Sequence, residues 1–199
     1  MSDEPTVFLI DDDPATVRAL TTLVKVVFPR VATFTSAAEF LSFYHDQPGC
    51  LVLDVAMPGM SGLELQRKLT QEKIALPIVF VTGHGNVPMA VEAMQRGAIN
   101  FLEKPVQEQK LWDSIRRALE QDAQNRRRRT RRQRIEQRLA RLTVGEREVL
   151  HLILEGKMNK EIAVELKLST RTVEDRRAKL MKKMDARSLA ELIQLVMTH

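Results

Sequence analysis

The sequence has little cysteine, few aromatic residues and no long apolar run. Cys50 is the one cysteine among 199 residues, which excludes an intramolecular disulfide and a cysteine-based zinc cluster. No uninterrupted apolar run exceeds four residues, whereas a membrane-spanning helix needs about 20. The first residues are acidic where a signal peptide is basic. We therefore expect a cytoplasmic protein with no membrane partner.

Charge is distributed unevenly along the chain. Residues 1–120 carry 11 basic and 15 acidic side chains (net −4), residues 121–141 carry 9 and 2 (net +7), and residues 142–199 carry 11 and 9 (net +2). Hydrophobic residues make up 44% of the sequence, which excludes a mainly disordered chain. At about 100 to 200 residues per domain, we predict two small domains. The basic second part indicates a nucleic acid partner.

Five short apolar runs alternate with helical stretches in residues 1–120. The runs are residues 7–10, 31–34, 50–53, 78–81 and 100–102. Such runs are typical of strands that are buried on both faces of a parallel sheet. The helix-start signals between them are Asp13 before Pro14 and the capping-box pairs Ser36–Glu39 and Ser61–Glu64. We predict an α/β domain with a doubly wound, five-stranded parallel sheet.

Polar residues follow the predicted strands. Asp11 and Asp12 follow the first, Asp54 the third and Thr82 the fourth, and Lys104 comes shortly after the fifth. Ligands of open α/β sheets bind outside the carboxyl ends of the strands. Clustered carboxylates repel one another unless a cation joins them, and an all-oxygen site suits Mg²⁺ or Mn²⁺. One carboxylate could then attack phosphorus while Lys104 and Thr82 bind the phosphoryl oxygens, which would yield an aspartyl phosphate.

The motifs at these strand ends resemble those of the receiver domain of two-component response regulators. They cover residues 10–12 (IDD), 53–62 (LDVAMPGMSG), 81–83 (VTG) and 101–105 (FLEKP). The resemblance implies a flavodoxin-like fold, with Asp54 as the phosphoacceptor and a sensor histidine kinase as the phosphodonor. It implies that Mg²⁺ is bound directly by Asp12, Asp54 and the Ala56 carbonyl, with Asp11 assisting. It also implies that the residues that bind the phosphoryl group and form the conformational switch are Lys104, Thr82 and Phe101.

Residues 121–141 are predicted to form an arginine-rich helical linker, exposed or partly frayed. Seven of the nine residues from Arg126 to Arg134 are arginines, and residues 120–134 contain no large aliphatic side chain. Two interpretations remain open. The arginines contact phosphates, or the segment is a self-repelling spacer between two domains.

Residues 142–199 are predicted to form a small all-α domain of four helices. Thr143 with Glu146 forms a capping box, and Asn159, Ser169 and Ser188 cap the next three helices. The third helix is expected from about Thr170 to Met184. A short helix, a tight turn and a basic helix are typical of a helix-turn-helix.

This segment resembles the LuxR/FixJ-type effector domain. The resemblance rests on Leu142-Thr143, Glu146, residues 148–150 (EVL), Gly156, residues 159–163 (NKEIA), Leu168-Ser169, residues 172–174 (TVE), Arg177 and residues 181–184 (MKKM). Arg176 stands where the family commonly has histidine, and Asp175 where an apolar residue is frequent. The predicted DNA-contacting residues are Arg171, Thr172, Glu174, Asp175, Arg177, Ala178, Lys179 and Lys182. Glu174 either accepts a hydrogen bond from a cytosine amino group or pairs with Arg171 or Arg177.

We therefore predict a response regulator in which phosphorylation of Asp54 switches dimerisation and sequence-specific binding of double-stranded DNA. The phosphorylated form is expected to be a homodimer, and RNA polymerase is a further expected partner. The chain is not expected to be an enzyme beyond self-catalysed aspartyl phosphorylation and weak autodephosphorylation.

Two other classes fit less well. A phosphatase of the haloacid dehalogenase type needs Asp-x-Asp-x-Thr/Val after its first strand, and residues 11–15 read DDDPA. An RNA-binding tail needs exposed aromatic rings for stacking, and residues 113–199 contain no Phe, Tyr or Trp.

Overall fold

The computed structural model describes residues 4–83 and 85–197. Outside the described residues lie His84 and residues 1–3, 198 and 199, which belong to the ends of the two predicted domains. The chain forms two compact units that divide between Arg126 and Arg127. No helix in the described ranges is both long enough and apolar enough to cross a bilayer.

The first unit contains a parallel sheet of five strands in the order β2-β1-β3-β4-β5. The strands are β1 (Thr6–Ile10), β2 (Val31–Phe34), β3 (Gly49–Leu53), β4 (Ile78–Thr82) and β5 (Asn100–Glu103). The helices that alternate with them are α1 (Pro14–Lys25), α2 (Ala37–Phe43), α3 (Gly62–Gln71), α4 (Val87–Gln95) and α5 (Glu108–Ala140). The predicted doubly wound α/β fold is confirmed.

The strands are apolar throughout because both faces of the sheet are covered. Alternate residues point to opposite faces, so Phe8 and Ile10 pack in one core while Val7 and Leu9 pack in the other. The first core also receives side chains from α2, α3 and α4, and the second from α1 and α5. Both cores hold the strands in one register, and this register fixes where their carboxyl ends lie.

The helix starts follow the capping signals with one difference. Asp13 accepts hydrogen bonds from the first turn of α1, and both halves of the Ser61–Glu64 box are present. Ser36 accepts from the Glu39 amide, but the Glu39 carboxylate accepts from the amide of Thr35, at 2.8 Å. The predicted Ser36–Glu39 box is therefore wrong in its second half, because the carboxylate reaches one residue further back.

The second unit contains α6 (Val144–Leu154), α7 (Asn159–Glu165), α8 (Thr170–Met184) and α9 (Leu189–Met197). Its core draws buried side chains from all four helices, among them Val149, Ile162, Leu180 and Leu192. The bounds of α8 are those that the sequence predicts. Asn159 does not cap α7, because Met158 holds the cap position and Asn159 is the first helical residue.

The residues assigned to a linker are helical up to Ala140 and are divided between the two units. In the first unit, the Asp122 carboxylate is buried and accepts hydrogen bonds from the Gly49 amide (2.9 Å) and Arg126 Nε (2.8 Å). In the second unit, Ile135 is buried in the core. The segment therefore contributes packed residues to both units. The sequence did not indicate this packing, because residues 120–134 contain no large aliphatic side chain.

Candidate phosphoacceptor site and recognition helix

The ammonium group of Lys104 joins two buried carboxylates at the carboxyl ends of the strands. Lys104 Nζ lies 2.6 Å from Asp11 Oδ2 and 2.8 Å from Asp54 Oδ1. Asp11 and Asp54 are 3% and 5% exposed. They lie side by side because they follow Ile10 and Leu53, which are register partners in β1 and β3. The structure thus brings together three of the residues that the strand-end argument selected.

Burial and charge oppose each other in this cluster. Burial raises the pKa of Asp11, and the Lys104 hydrogen bond only partly offsets this effect. Burial also works against the charge of Lys104, but the hydrogen bonds to Asp11 and Asp54 outweigh it, so the pKa of Lys104 lies above its ordinary value. Two carboxylates share one ammonium, which leaves this buried site with an excess of negative charge.

The carboxylate of Asp54 is held by both of its oxygens. Oδ1 accepts from Lys104, and Oδ2 accepts from the backbone amide of Ala56 at 2.6 Å. The Asp54 amide in turn donates to the Ile10 carbonyl at 2.9 Å. Asp54 is therefore held by groups from β1, from the residue after β5 and from the loop after β3, as a positioned nucleophile must be.

The predicted magnesium ligands are only partly assembled. Asp12 and Ala56 are exposed, and within residues 4–83 and 85–197 no three His, Cys, Asp or Glu side chains are grouped closely enough to hold a metal ion. The donor chemistry nevertheless fits Mg²⁺, because every donor is an oxygen and the buried carboxylates exceed the local positive charge.

The two predicted switch residues lie on β4 and β5. Thr82 is fully buried at the end of β4. Phe101 is half-buried, and its ring centroid lies 5.9 Å from that of Phe80. A Cβ atom on Gly85 would lie 2.7 Å from the Phe101 ring and 3.0 Å from the Thr82 methyl group. Gly85, which the sequence reasoning missed, therefore leaves space for both side chains; its only sequence signal is a glycine three residues after Thr82.

In the second unit, α8 presents a polar face to solvent. Ser169 accepts a hydrogen bond from the Thr172 amide and so caps the helix. Six of the eight predicted DNA-contacting residues are exposed: Arg171, Glu174, Asp175, Ala178, Lys179 and Lys182. Val173, Leu180 and Met184 are buried on the opposite side.

The other two predicted DNA-contacting residues already have partners within the unit. The Thr172 hydroxyl lies 2.8 Å from Ser169 Oγ, and Arg177 Nη1 donates to Asn159 Oδ1 at 2.7 Å. The second bond joins α7 to α8 across the turn of the helix-turn-helix. Sequence reasoning missed this pair because it read Asn159 as a cap.

In the described part of the chain, the structure does not contain the ion pair between Glu174 and an arginine that one of the two interpretations requires. Among the described residues, Glu174 forms no ion pair with Arg171 or with Arg177. The carboxylate of Glu174 is exposed. It is therefore available to accept a hydrogen bond from a base edge.

Comparison with protein families assigns both parts of the chain. Residues 7–116 match the response regulator receiver domain, and residues 140–196 match the bacterial regulatory proteins of the luxR family. Both families agree with the resemblances found in the sequence.

Several proteins are similar over nearly the whole chain. Nodulation protein W of Bradyrhizobium diazoefficiens is 43% identical over 195 residues, which cover 98% of this chain and 86% of that protein. The transcriptional regulatory protein FixJ of Azorhizobium caulinodans is 41% identical, with 99% and 94% covered. The response regulator protein TodT of Pseudomonas putida is 40% identical, with 98% and 87% covered.

Solved structures give the same result. A low-resolution structure of the response regulator StyR shares 45% identity at a TM-score of 0.90, covering 98% of this chain and 100% of that one. Full-length FixJ from B. japonicum shares 39% identity at a TM-score of 0.60, with 99% and 98% covered.

Proposed function

This chain belongs to the two-component response regulators that join a receiver domain to a luxR-family DNA-binding domain, and from that premise we propose that Asp54 accepts a phosphoryl group from a sensor histidine kinase. The observation that carries the proposal is the half-buried Lys104 ammonium, 2.8 Å from Asp54 Oδ1 and 2.6 Å from Asp11 Oδ2. It places a positive charge next to the attacking carboxylate.

The proposed reaction is a phosphoryl transfer. An oxygen of Asp54 forms a bond to phosphorus, the bond from phosphorus to the donor's imidazole nitrogen breaks, and the imidazole leaves with the electron pair and takes up a proton. Lys104 and the Thr82 hydroxyl bind the phosphoryl oxygens. Mg²⁺, held by Asp11, Asp12, Asp54 and the Ala56 carbonyl, would supply charge neutralisation when bound.

The family is that of regulators rather than of ordinary enzymes. We therefore propose that the only chemistry of the chain is self-catalysed phosphorylation of Asp54 and slow loss of the phosphoryl group. The test is phosphoryl transfer from acetyl phosphate, in the presence of Mg²⁺, to the wild-type protein and to Asp54→Asn.

Phosphorylation would act on DNA binding through dimerisation. When the phosphoryl group draws Thr82 toward it, Phe101 gains room to turn inward. This rearrangement shifts the balance between two conformations of the surface near α4 and β5. On α4, Val87, Val91 and Met94 are 76%, 47% and 45% exposed, and their spacing places them on one face. Burial of this apolar face against a second copy would stabilise the phosphorylated dimer.

We expect phosphorylation to double the sedimenting mass at micromolar protein without DNA, and Val91→Glu to prevent the change. The carboxylate would have to be buried in the dimer interface, which is unfavourable. Val26→Glu is a matched control. Val26 is 71% exposed and directly follows α1, away from the α4 face. Equal masses before and after phosphorylation of the wild-type protein would contradict the dimerisation step.

The exposed face of α8 would read DNA in the major groove. We expect Glu174→Ala to relax the preference at one base position by about 1 to 3 kcal/mol, because a carboxylate can accept a hydrogen bond from a cytosine amino group. Lys182→Ala should instead weaken binding to all sequences and flatten its salt dependence, because an exposed lysine contacts phosphates. Selection of duplexes from a random pool gives the base preferences of each variant.

The two substitutions serve as controls for each other. If Glu174→Ala keeps the wild-type sequence profile and changes affinity uniformly, Glu174 does not read a base.

RNA polymerase, at the regulated promoter in the bacterial cytoplasm, is the further partner that we propose for a transcription regulator of this kind.

A further inference from the structure

Six arginines of the linker form an exposed basic surface on α5, which we call the arginine stripe. Its members are Arg127, Arg128, Arg129, Arg131, Arg132 and Arg134. No acidic residue lies between Asp122 and Glu136. Among the described residues, Arg127, Arg128, Arg131 and Arg134 have no ion-pair partner.

The stripe is helical although its charges oppose a helix. Arginines three or four positions apart face each other on a helix, and like charges at these spacings are destabilising. Arg127 and Arg131 form one such pair, and Arg131 and Arg134 another. A spacer that only had to be helical would gain stability from alternating acidic and basic residues. The composition of the stripe is therefore better explained by a polyanionic partner than by a spacer role.

The stripe belongs to the DNA-binding unit. Ile135, next to its last member, is 3% exposed and packs in the core of the second unit. One turn further on, Arg138 donates to the Met184 carbonyl (2.9 Å) and to Asp185 Oδ2 (2.7 Å), at the C-terminal end of the recognition helix. The stripe is thus a helical extension of this unit, anchored beside α8.

Arg126 and Arg138 differ from the members of the stripe. Arg126 binds Asp122 and the carbonyls of Asp46 and Gln47 within the first unit. Arg138 binds the end of α8. These two arginines have structural roles, whereas the side chains of the stripe face solvent.

The stripe supplies about a third of the basic side chains of its unit. Residues 127–199 contain 19 basic and 10 acidic side chains, a net charge of +9, and the stripe contributes six of the positive charges. On α8, by contrast, exposed Glu174 and Asp175 offset part of the charge of Arg171, Lys179 and Lys182. Because phosphate neutralisation dominates the affinity of proteins for DNA, the stripe is a large additional source of positive charge beside the recognition helix.

We propose that the arginine stripe is a second, sequence-independent DNA-binding surface, which contacts phosphates flanking the site read by α8. The inference rests on the proposed DNA-binding function. At 1.5 Å per residue, Arg127 to Arg134 span about 10 Å, the length of about three successive phosphates on one strand. The planar guanidinium group binds phosphate in a bidentate manner, which explains why the segment contains arginine and no lysine.

The test uses the full-length protein with Arg127, Arg128, Arg131 and Arg134 all replaced by glutamine. The matched control replaces the same four residues by lysine, which retains the charge. Affinities are measured against salt concentration for two duplexes: the site obtained by selection from a random pool, and the same site extended on both sides by arbitrary sequence.

The wild-type protein should bind the extended duplex more tightly and with a steeper salt dependence. The glutamine variant should show no such difference, bind the extended duplex roughly ten-fold or more weakly, and have a log–log slope that is shallower by about 0.9 for each phosphate that it no longer neutralises. The lysine variant should keep most of the slope. The sequence profile should be the same for all three proteins, because phosphate contacts carry no base information.

Two results would overturn the proposal. In the first, the glutamine variant binds both duplexes with the wild-type slopes. In the second, it binds the extended duplex normally but no longer forms the phosphorylated dimer, so that the partner of the stripe is a second copy of the chain. Failure of the proposed function would look different, since the wild-type protein itself would then select no sequence from the pool.

Discussion

The Asp54→Asn variant is expected to remain unmodified when it is incubated with acetyl phosphate and Mg²⁺, whereas the wild-type protein gains one phosphoryl group. Asparagine has nearly the shape of aspartate, so the fold around the strand ends should persist. Its amide lacks the anionic oxygen that attacks phosphorus. Mass spectrometry of the intact protein measures the result directly.

Two controls make this result specific. Asp113 is a half-exposed acidic residue on α5, outside the phosphoacceptor site, and Asp113→Asn should be phosphorylated like the wild-type protein. Asp12→Ala should also fail to accept the phosphoryl group, but with a measurable loss of Mg²⁺ affinity as the cause. Phosphate appearing on Asp54→Asn at the wild-type rate would assign the nucleophile to another residue.

The grouping of Asp11, Asp54 and Lys104 could be predicted because it depends on a simple geometric rule. Apolar runs mark strands buried on both faces, and parallel strands end at the same edge of a sheet. Residues that directly follow β1 and β3 must therefore be neighbours. For Asp11 and Asp54, which follow neighbouring strands, the rule needs no side-chain detail. Lys104 follows β5, which β4 separates from β3, so the rule places it at the same edge and its long side chain completes the contacts.

The contacts that escaped prediction are those that depend on side-chain reach. Asp122 lies four residues before Arg126, a spacing that favours an ion pair on a helix, but nothing in the sequence indicates that Arg126 also binds the loop before β3 while Arg127 is exposed. The Asn159–Arg177 bond likewise joins two helices across a turn. Periodicity gives the face of a helix, but not which long side chain finds a partner on another element.

Gly62 connects the packing of the fold to the position of Asp54. It is the first residue of α3, and its amide donates to the Val55 carbonyl at 2.9 Å. A Cβ atom at this position would lie 2.2 Å from the carbonyl oxygen of Asp54 and 3.1 Å from Leu53 Cγ. Since the nearest atom belongs to the backbone, no side-chain rotation can relieve the overlap.

We therefore expect Gly62→Ala to lower the free energy of unfolding of the first unit by about 1 to 3 kcal/mol or more and to slow phosphorylation, because the helix or the Asp54 backbone must shift. Trp112 is the one tryptophan of the chain and lies in the first unit, where Nε1 donates to the Leu23 carbonyl at 3.0 Å. Its fluorescence during urea unfolding reports on this unit.

The matched control for this steric argument is Gly83→Ala. A Cβ atom on Gly83 would meet only Lys104 Cδ, at 3.9 Å, which is an ordinary contact distance. The urea midpoint of Gly83→Ala should therefore lie close to that of the wild-type protein, since exposed substitutions without such an overlap usually change stability by about 0.5 kcal/mol or less. If both variants unfold at the same midpoint as the wild-type protein, the close approach of α3 to the Asp54 carbonyl does not constrain the site.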